Sequence, residues 1–200
     1  SKKNLNPIIL DKIKKKYLFI RKINLKIISK IKENKYDLLI VAGWPLIFPK
    51  ELIKAAKYST INLHAGRLPH YRGGSPLNWQ MIEGKKNIFI SIIKMTKKID
   101  EGPIYATKKI KINTNENIKN LHNKVNKIYP YMVENVIQKI KKKIKPKKQS
   151  IKFKRYLKQR SDKDGKIEWN YMTNYEVFNL VRATTSPYPG AFYIIKKKKI

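Results

Sequence analysis

Residues 37–65 read "DLLIVAGWPLIFPKELIKAAKYSTINLHA", and the order of patterns within them sets the fold. "DLLIVAG" (37–43) is a continuous apolar run closed by Gly43, which predicts a strand covered on both faces. "PKELIKAAK" (49–57) opens on Pro49 and predicts a helix. "TINLHA" (60–65) is the next strand. Strand, helix and strand in so short a stretch predict an α/β, Rossmann-like domain with a largely parallel sheet.

The same pattern continues in both directions. Upstream, Asn6-Pro7 before "IILDKIKKK" predicts a short capped helix, and "YLFI" (17–20) a short strand. Ile23, Ile27, Ile28 and Ile31 share one helical face, so 24–34 is expected as an amphipathic helix ending near Asn34. Downstream, Ser75 as N-cap and Pro76 open a helix over 75–84. "IFISIIKM" (88–95) and "PIYATKKIKI" (103–112) are strands, and 115–144 is a long helix with a bend expected at Pro130. "KPKKQSIKFK" (145–154) is polar, Pro-containing and aperiodic, hence a linker. Beyond it "DGKIEW" predicts a turn and strand, 173–185 a Thr-capped helix, and "SPYPGAFYII" the approach to a further strand. The expected division is therefore a first unit at 1–144, a linker at 145–154, and the start of a small β-rich module at 155–200. The chain opens on Ser1 and stops at "FYIIKKKKI", so a longer parent is expected, with the domain's first strand not recognisable here.

A chain of 200 residues, 42% of them hydrophobic, can bury a full core. It has no cysteine, which excludes disulfides and thiolate metal sites and suits a reducing, cytoplasmic compartment. No apolar run reaches the roughly 18–20 residues that span a bilayer, and no secretory h-region opens the chain. The formal net charge of +34 calls for a polyanion partner if taken alone. Only six of the 47 basic residues are Arg, however, at positions 21, 67, 72, 155, 160 and 182. Arg is the residue that bidentate phosphate recognition favours. The Lys excess travels with Ile and Asn, as A/T-rich coding would produce, and reads as solvated decoration.

Chemistry concentrates in "NLHAGRLPHYRGGSP" (62–76). Asn62 and His64 stand two apart at a strand end, so their side chains share a face. The strand end is where open α/β sheets bind ligands. Asp100, between two predicted strands, is placed to return over that edge. An amide, an imidazole and a carboxylate converging there suit attack of an amine on a carbonyl carbon. The amide donates to the developing oxyanion, the imidazole donates to it or relays a proton, and the carboxylate orients the ring or accepts the amine proton. Spacing alone leaves a satisfied loop histidine and a turn aspartate as the alternative. The three histidines, His64, His70 and His122, have no ligand spacing among them, so no metal is expected.

"INLHAGRLPHYRGGSPLNWQMIEG" together with "IDEGPIYATKKIKI" resembles the folate-dependent formyltransferase family. The resemblance rests on Asn62-x-His64, Leu68-Pro69-x-x-Arg72-Gly73 and Asp100-Glu101-Gly102, in that order. It extends through "GWPLIFPKEL" and into "SDKDGKIEWN" and "LVRATTSPYPGAF". It implies Asn62, His64 and Asp100 as a catalytic trio and 10-formyltetrahydrofolate as donor, its pterin along Trp44, Pro45, Leu46, Ile47 and Phe48. Many members carry Ser where this chain has Gly66. Leu77-Asn78-Trp79 resembles the branch acting on nucleotide-linked amino sugars in surface polysaccharide (lipopolysaccharide) biosynthesis. Arg67, Arg72, Gly73 and Asn78 would then meet that substrate. Methionyl-tRNA formylation stays open on the charge, with tRNA the lesser expectation and DNA not expected; a formate-releasing hydrolase and a non-enzymatic basic binding protein also stay open. A homodimer is compatible with the sequence.

Overall fold

The computed structural model describes residues 22–44, 47–150, 155–196 and 198–200. The helix expected after Asn6-Pro7, the strand at 17–20, and Pro45 and Leu46 lie outside the described residues.

Helix α1 (Leu25–Glu33) begins at Asn24, whose side chain accepts the Ile27 N–H at 3.0 Å and so satisfies a free first-turn donor. Strands β1 (Leu38–Ala42) and β2 (Ser59–His64) pair in parallel, Leu38 opposite Ser59 through Ala42 opposite Leu63. They are joined by α2 (Lys50–Ile53), a single turn rather than the helix expected over 49–57. The N–H groups of Lys57 and Tyr58 bond to the carbonyls of Tyr36 and Asp37 instead, which pulls the chain into strand register before a longer helix can form. β1 also departs from expectation. Only Val41 in it is buried and Ile40 is 47% exposed, because among the described residues β1 is a sheet edge.

The sheet order is β1-β2-β4-β5, with β4 (Asn87–Lys94) and β5 (Ile104–Lys111). The α/β class is as expected, while within this sheet, among the described residues, parallel pairing is confined to β1 and β2. β2 pairs antiparallel with β4, and β4 with β5. Residues 95–103 between β4 and β5 are too few for the dozen or more that a parallel crossover needs.

β4 is the central strand. Ile88, Ile90 and Ile92 line one face and are fully buried. They share a core with Leu77 and Met81 of α3 (Pro76–Ile82) and with Leu121, Val125 and Val136 of α4 (Ile118–Lys141). The buried positions of α4 recur with helical period, and Asn117 closes its start in a capping box with Asn120. The helix runs on past Pro130, which faces solvent. Ser75 holds the expected N-cap position of α3, but its side chain makes no capping bond. It sits at φ 49°, and its hydroxyl accepts the Arg160 N–H at 3.1 Å.

The C-terminal part docks on this frame. β3 (Arg72–Gly73) pairs in parallel with β6 (Tyr156–Leu157). Where "DGKIEW" predicted a turn and strand, a 3-10 turn (Asp162–Gly165) forms, and Lys166 makes only an isolated bridge to Phe192. α5 (Asn174–Thr184) starts in the expected Thr173 cap, boxed with Glu176, and β7 (Ile194–Ile195) pairs with β8 (Lys198–Lys199). Phe178 and Val181 of α5 are 43% and 45% exposed. Replacing Ile90 by Ala removes a fully buried side chain from the central strand. Thermal or denaturant unfolding is expected to show a loss of about 2–5 kcal/mol, and an unchanged midpoint would contradict this placement of the core.

Candidate functional site

The site begins where β2 ends. The turn after His64 is pinned by two buried polar side chains: Gln80 donates to the Ala65 carbonyl at 3.0 Å, and Ser91 donates to the Gly66 carbonyl at 2.8 Å. The loop after β4 lies alongside, its Met95 N–H bonded to the Thr60 carbonyl at 2.8 Å. This loop delivers Asp100 to the end of β2, with φ 52°, a left-handed conformation that Asp adopts more readily than most residues.

There the three expected residues meet. Asp100 Oδ2 accepts the Gly73 N–H at 2.9 Å and faces His64 Nδ1 at 3.4 Å. Asp100 Oδ1 takes a long contact of 3.4 Å from Asn62 Nδ2. The opposite side of the imidazole is also engaged, with Nε2 2.5 Å from the Tyr71 carbonyl. A carbonyl only accepts, so Nε2 is the nitrogen that donates in this contact, while Nδ1 is the one turned to Oδ2. His64 is 5% exposed and Asp100 10%.

All three line a cavity of about 750 Å³. Trp44, Ile47 and Phe48 form another part of its wall. Trp44 and Phe48 meet edge to face at 6.1 Å. The buried Trp44 Nε1 has no hydrogen-bond partner among the described residues, an unmet donor of a kind native interiors seldom leave. Among those residues no group of three His, Cys, Asp or Glu side chains could hold a metal ion.

Of the residues expected to meet a substrate, only Gly73 lines this cavity. Arg72 is 4% exposed; Gln149 Oε1 accepts from its Nη2 at 2.9 Å and its Nε at 3.2 Å, and Glu101 lies 4.0 Å from Nη1. Asn78 is buried and donates to the Ala183 carbonyl at 2.9 Å, joining α3 to α5. Arg67 is exposed and lies over the Phe89 ring at 4.9 Å. Arg67, His70 and Arg155 instead form a basic group around Tyr71. Arg155 lies over the Tyr71 ring at 5.7 Å and bonds Glu83, which also accepts from the Tyr71 hydroxyl. Partial burial, and then the charges of Arg67 and Arg155, hold His70 below the usual histidine pKa. Burial, followed by the bond to Glu83, pushes the Tyr71 phenol up.

Tyr71, Gln80, Ser91 and Gln149 were not singled out from the sequence. Ser91 in "IFISIIKM" and Gln80 in "NWQMI" were detectable as polar residues inside apolar patterns. Tyr71 contributes a main-chain carbonyl, which no side-chain motif reveals.

Comparison with known proteins shows the family of the chain. Residues 2–137 match the family model "Formyl transferase", and residues 160–200 match "Formyl transferase, C-terminal domain". The bifunctional polymyxin resistance protein ArnA of Wigglesworthia glossinidia brevipalpis is 37% identical over 185 residues, 88% of this chain and 27% of that protein. The methionyl-tRNA formyltransferase of Thermodesulfovibrio yellowstonii is 35% identical over 174 residues, 86% of this chain and 56% of that protein. The chain thus spans about a quarter of the first relative and little more than half of the second. An X-ray structure of a sugar N-formyltransferase from Shewanella sp. FDAARGOS_354 superposes with a TM-score of 0.77 at 23% identity, covering 100% of this chain and 80% of that one.

Gly66 is set by close approach. A Cβ there would lie 2.6 Å from His64 Nε2 and 2.7 Å from the Tyr71 carbonyl. Gly66→Ala is therefore expected to break the His64–Tyr71 bond and shift the His64 ring-nitrogen resonances. Unshifted resonances would show that the ring is held by something else.

Proposed function

The chain belongs to the formyl transferase family, and on that premise we propose that it transfers a formyl group from 10-formyltetrahydrofolate to the amine of a nucleotide-linked amino sugar. The observation that carries the reading is the meeting of Asn62, His64 and Asp100 in one cavity whose lining also holds an aromatic pair with an unmet indole donor. In this reading residues 1–144 are the catalytic unit, 145–154 connect it, and 155–200 begin the C-terminal module.

The donor, when bound, supplies an electrophilic formyl carbon. Trp44, Ile47 and Phe48 present an apolar wall of the kind that suits a flat heterocycle, and Trp44 Nε1 offers it a hydrogen bond. Asn62 Nδ2 is the uncharged donor of the trio and stabilises oxygen charge as the amine attacks. His64 acts mainly through Asp100. Its Nε2 is committed to the Tyr71 carbonyl, so the ring turns Nδ1 to Oδ2 rather than reaching for the oxyanion. Asp100 Oδ1 is then the oxygen that takes the amine proton, and it would return a proton to the folate nitrogen as the bond from that nitrogen to the formyl carbon breaks, releasing tetrahydrofolate. Holding both substrates in one cavity supplies a large share of the acceleration.

Two features bear on the acceptor. Exposed Arg67 and Arg155 with half-buried His70, at the loop that follows His64, suit a diphosphate. The net charge of +34 and the methionyl-tRNA formyltransferase relative favour tRNA as the second reading. Incubating the protein with the formyl donor and a pool of nucleotide-linked amino sugars plus methionyl-tRNA is expected to give a formylated nucleotide sugar, read by mass spectrometry. Formylated methionyl-tRNA would select the second reading, and formate alone would point to water as acceptor. Asp100→Asn and His64→Ala should each cost about 10²-fold or more in rate, and a full-rate variant would remove that residue from the mechanism.

The acceptor assignment has its own pH signature. Partial burial, and then the charges of Arg67 and Arg155, depress the His70 pKa; a bound diphosphate would offset those charges and raise it. Binding would then take up a proton and tighten as pH falls through the His70 range. Nucleoside diphosphate is expected to move the His70 titration midpoint upward, and a midpoint that stays put would count against this cluster as the acceptor site.

A further inference from the structure

The segment joining the two family matches is docked against the catalytic loop. Lys147 and Ile104 exchange two backbone hydrogen bonds, at 2.7 and 2.9 Å. Two residues on, Gln149 uses every bond an amide offers. Its Oε1 accepts from Arg72 Nη2 at 2.9 Å and Nε at 3.2 Å. Its Nε2 donates to the Asp100 and Gly102 carbonyls, both at 2.7 Å. Arg72 precedes Gly73, whose N–H holds Asp100 Oδ2. Gln149 thus ties together the two loops that position the carboxylate, one by a side chain and the other by its main chain. The same segment returns as β6, where Leu157 packs so tightly on Gly73 that a Cβ there would meet the Leu157 carbonyl at 2.3 Å.

We infer that Gln149 is a positioning residue for Asp100, so that the connecting segment is a working part of the reaction site. The inference takes Asp100 as the reactive carboxylate, and so rests on the function proposed above. The residue type is constrained by its partners. A guanidinium needs an acceptor and two carbonyls need two donors, and among side chains of this reach Gln supplies both. Glu at 149 would keep the Arg72 bonds but set a carboxylate oxygen against two carbonyls. Met would keep the volume and lose all four bonds.

The test combines the Gly73 amide resonance with formyl-transfer kinetics, in the full chain carrying Gln149→Met, Gln149→Glu, Asp100→Asn, or Asp100→Asn with Gln149→Met. The Gly73 proton, bonded to a carboxylate in the native protein, is expected to move upfield in both Gln149 variants while that of buried Ile90 stays put. kcat should fall about tenfold to a hundredfold with the donor KM little changed, as for a misplaced catalytic group. Adding Gln149→Met to Asp100→Asn should cost nothing further, because both act through one carboxylate. Gln149→Glu retains the Arg72 anchor and so covers the case in which Gln149→Met fails to fold. An unmoved Gly73 resonance in the folded variants, or losses that add in the double variant, would overturn the inference. If Asp100→Asn alone runs at full rate, the proposed function fails, and the Gly73 resonance by itself still decides whether Gln149 positions Asp100.

Discussion

A carboxylate that is 10% exposed must be compensated or it will not stay charged, and the architecture around Asp100 is built to meet that demand. Three groups from two parts of the chain converge on it: the Gly73 main-chain N–H at 2.9 Å and, from β2, the His64 ring and the Asn62 amide, both at 3.4 Å. Each is held by something else. His64 is braced by the Tyr71 carbonyl, the turn behind it by Gln80 and Ser91, and the Gly73 strand by β6. Asp100 itself sits at positive φ at the end of a loop too short to be anything but an antiparallel connection. Loss of the β2–β4 register would part the trio even if every residue in it were intact.

The sheet explains why that register is dependable. β4 is buried on both faces, with Ile88, Ile90 and Ile92 in the main core and Ser91 and Ile93 on the other side. A slip by one residue would drive Ser91 into the Ile core and free the Gly66 carbonyl it serves. Core packing and site geometry therefore depend on the same strand.

Much of this was readable in the sequence, and what escaped has physical reasons. Asn62 and His64 declared themselves by alternation at a strand end, and Asp100 by its place between strands with Gly102 behind it. The elements were legible wherever periodicity was long, as in α4 and α5. α2 was cut short by main-chain bonds to Tyr36 and Asp37, and the edge position of β1 is a property of sheet order that a local pattern does not encode. The arginines misled for a related reason. Arg72 looked like a substrate ligand because Arg commonly is one, yet it is buried against Gln149 and Glu101, while Arg155, far along the chain, joins Arg67 beside Tyr71. Gln149 sits in an aperiodic, lysine-rich stretch, where only its tertiary partners distinguish it from the decoration around it.

The proposed reaction requires the donor's formyl group to lie against Asn62 and Asp100. The most direct measurement is a crystal structure of the protein with a stable analogue of 10-formyltetrahydrofolate. The account predicts the pterin along Trp44 and Phe48, with the formyl oxygen within about 2.7–3.2 Å of Asn62 Nδ2. An analogue bound elsewhere, or with its formyl group turned away from Asn62 and Asp100, would contradict it.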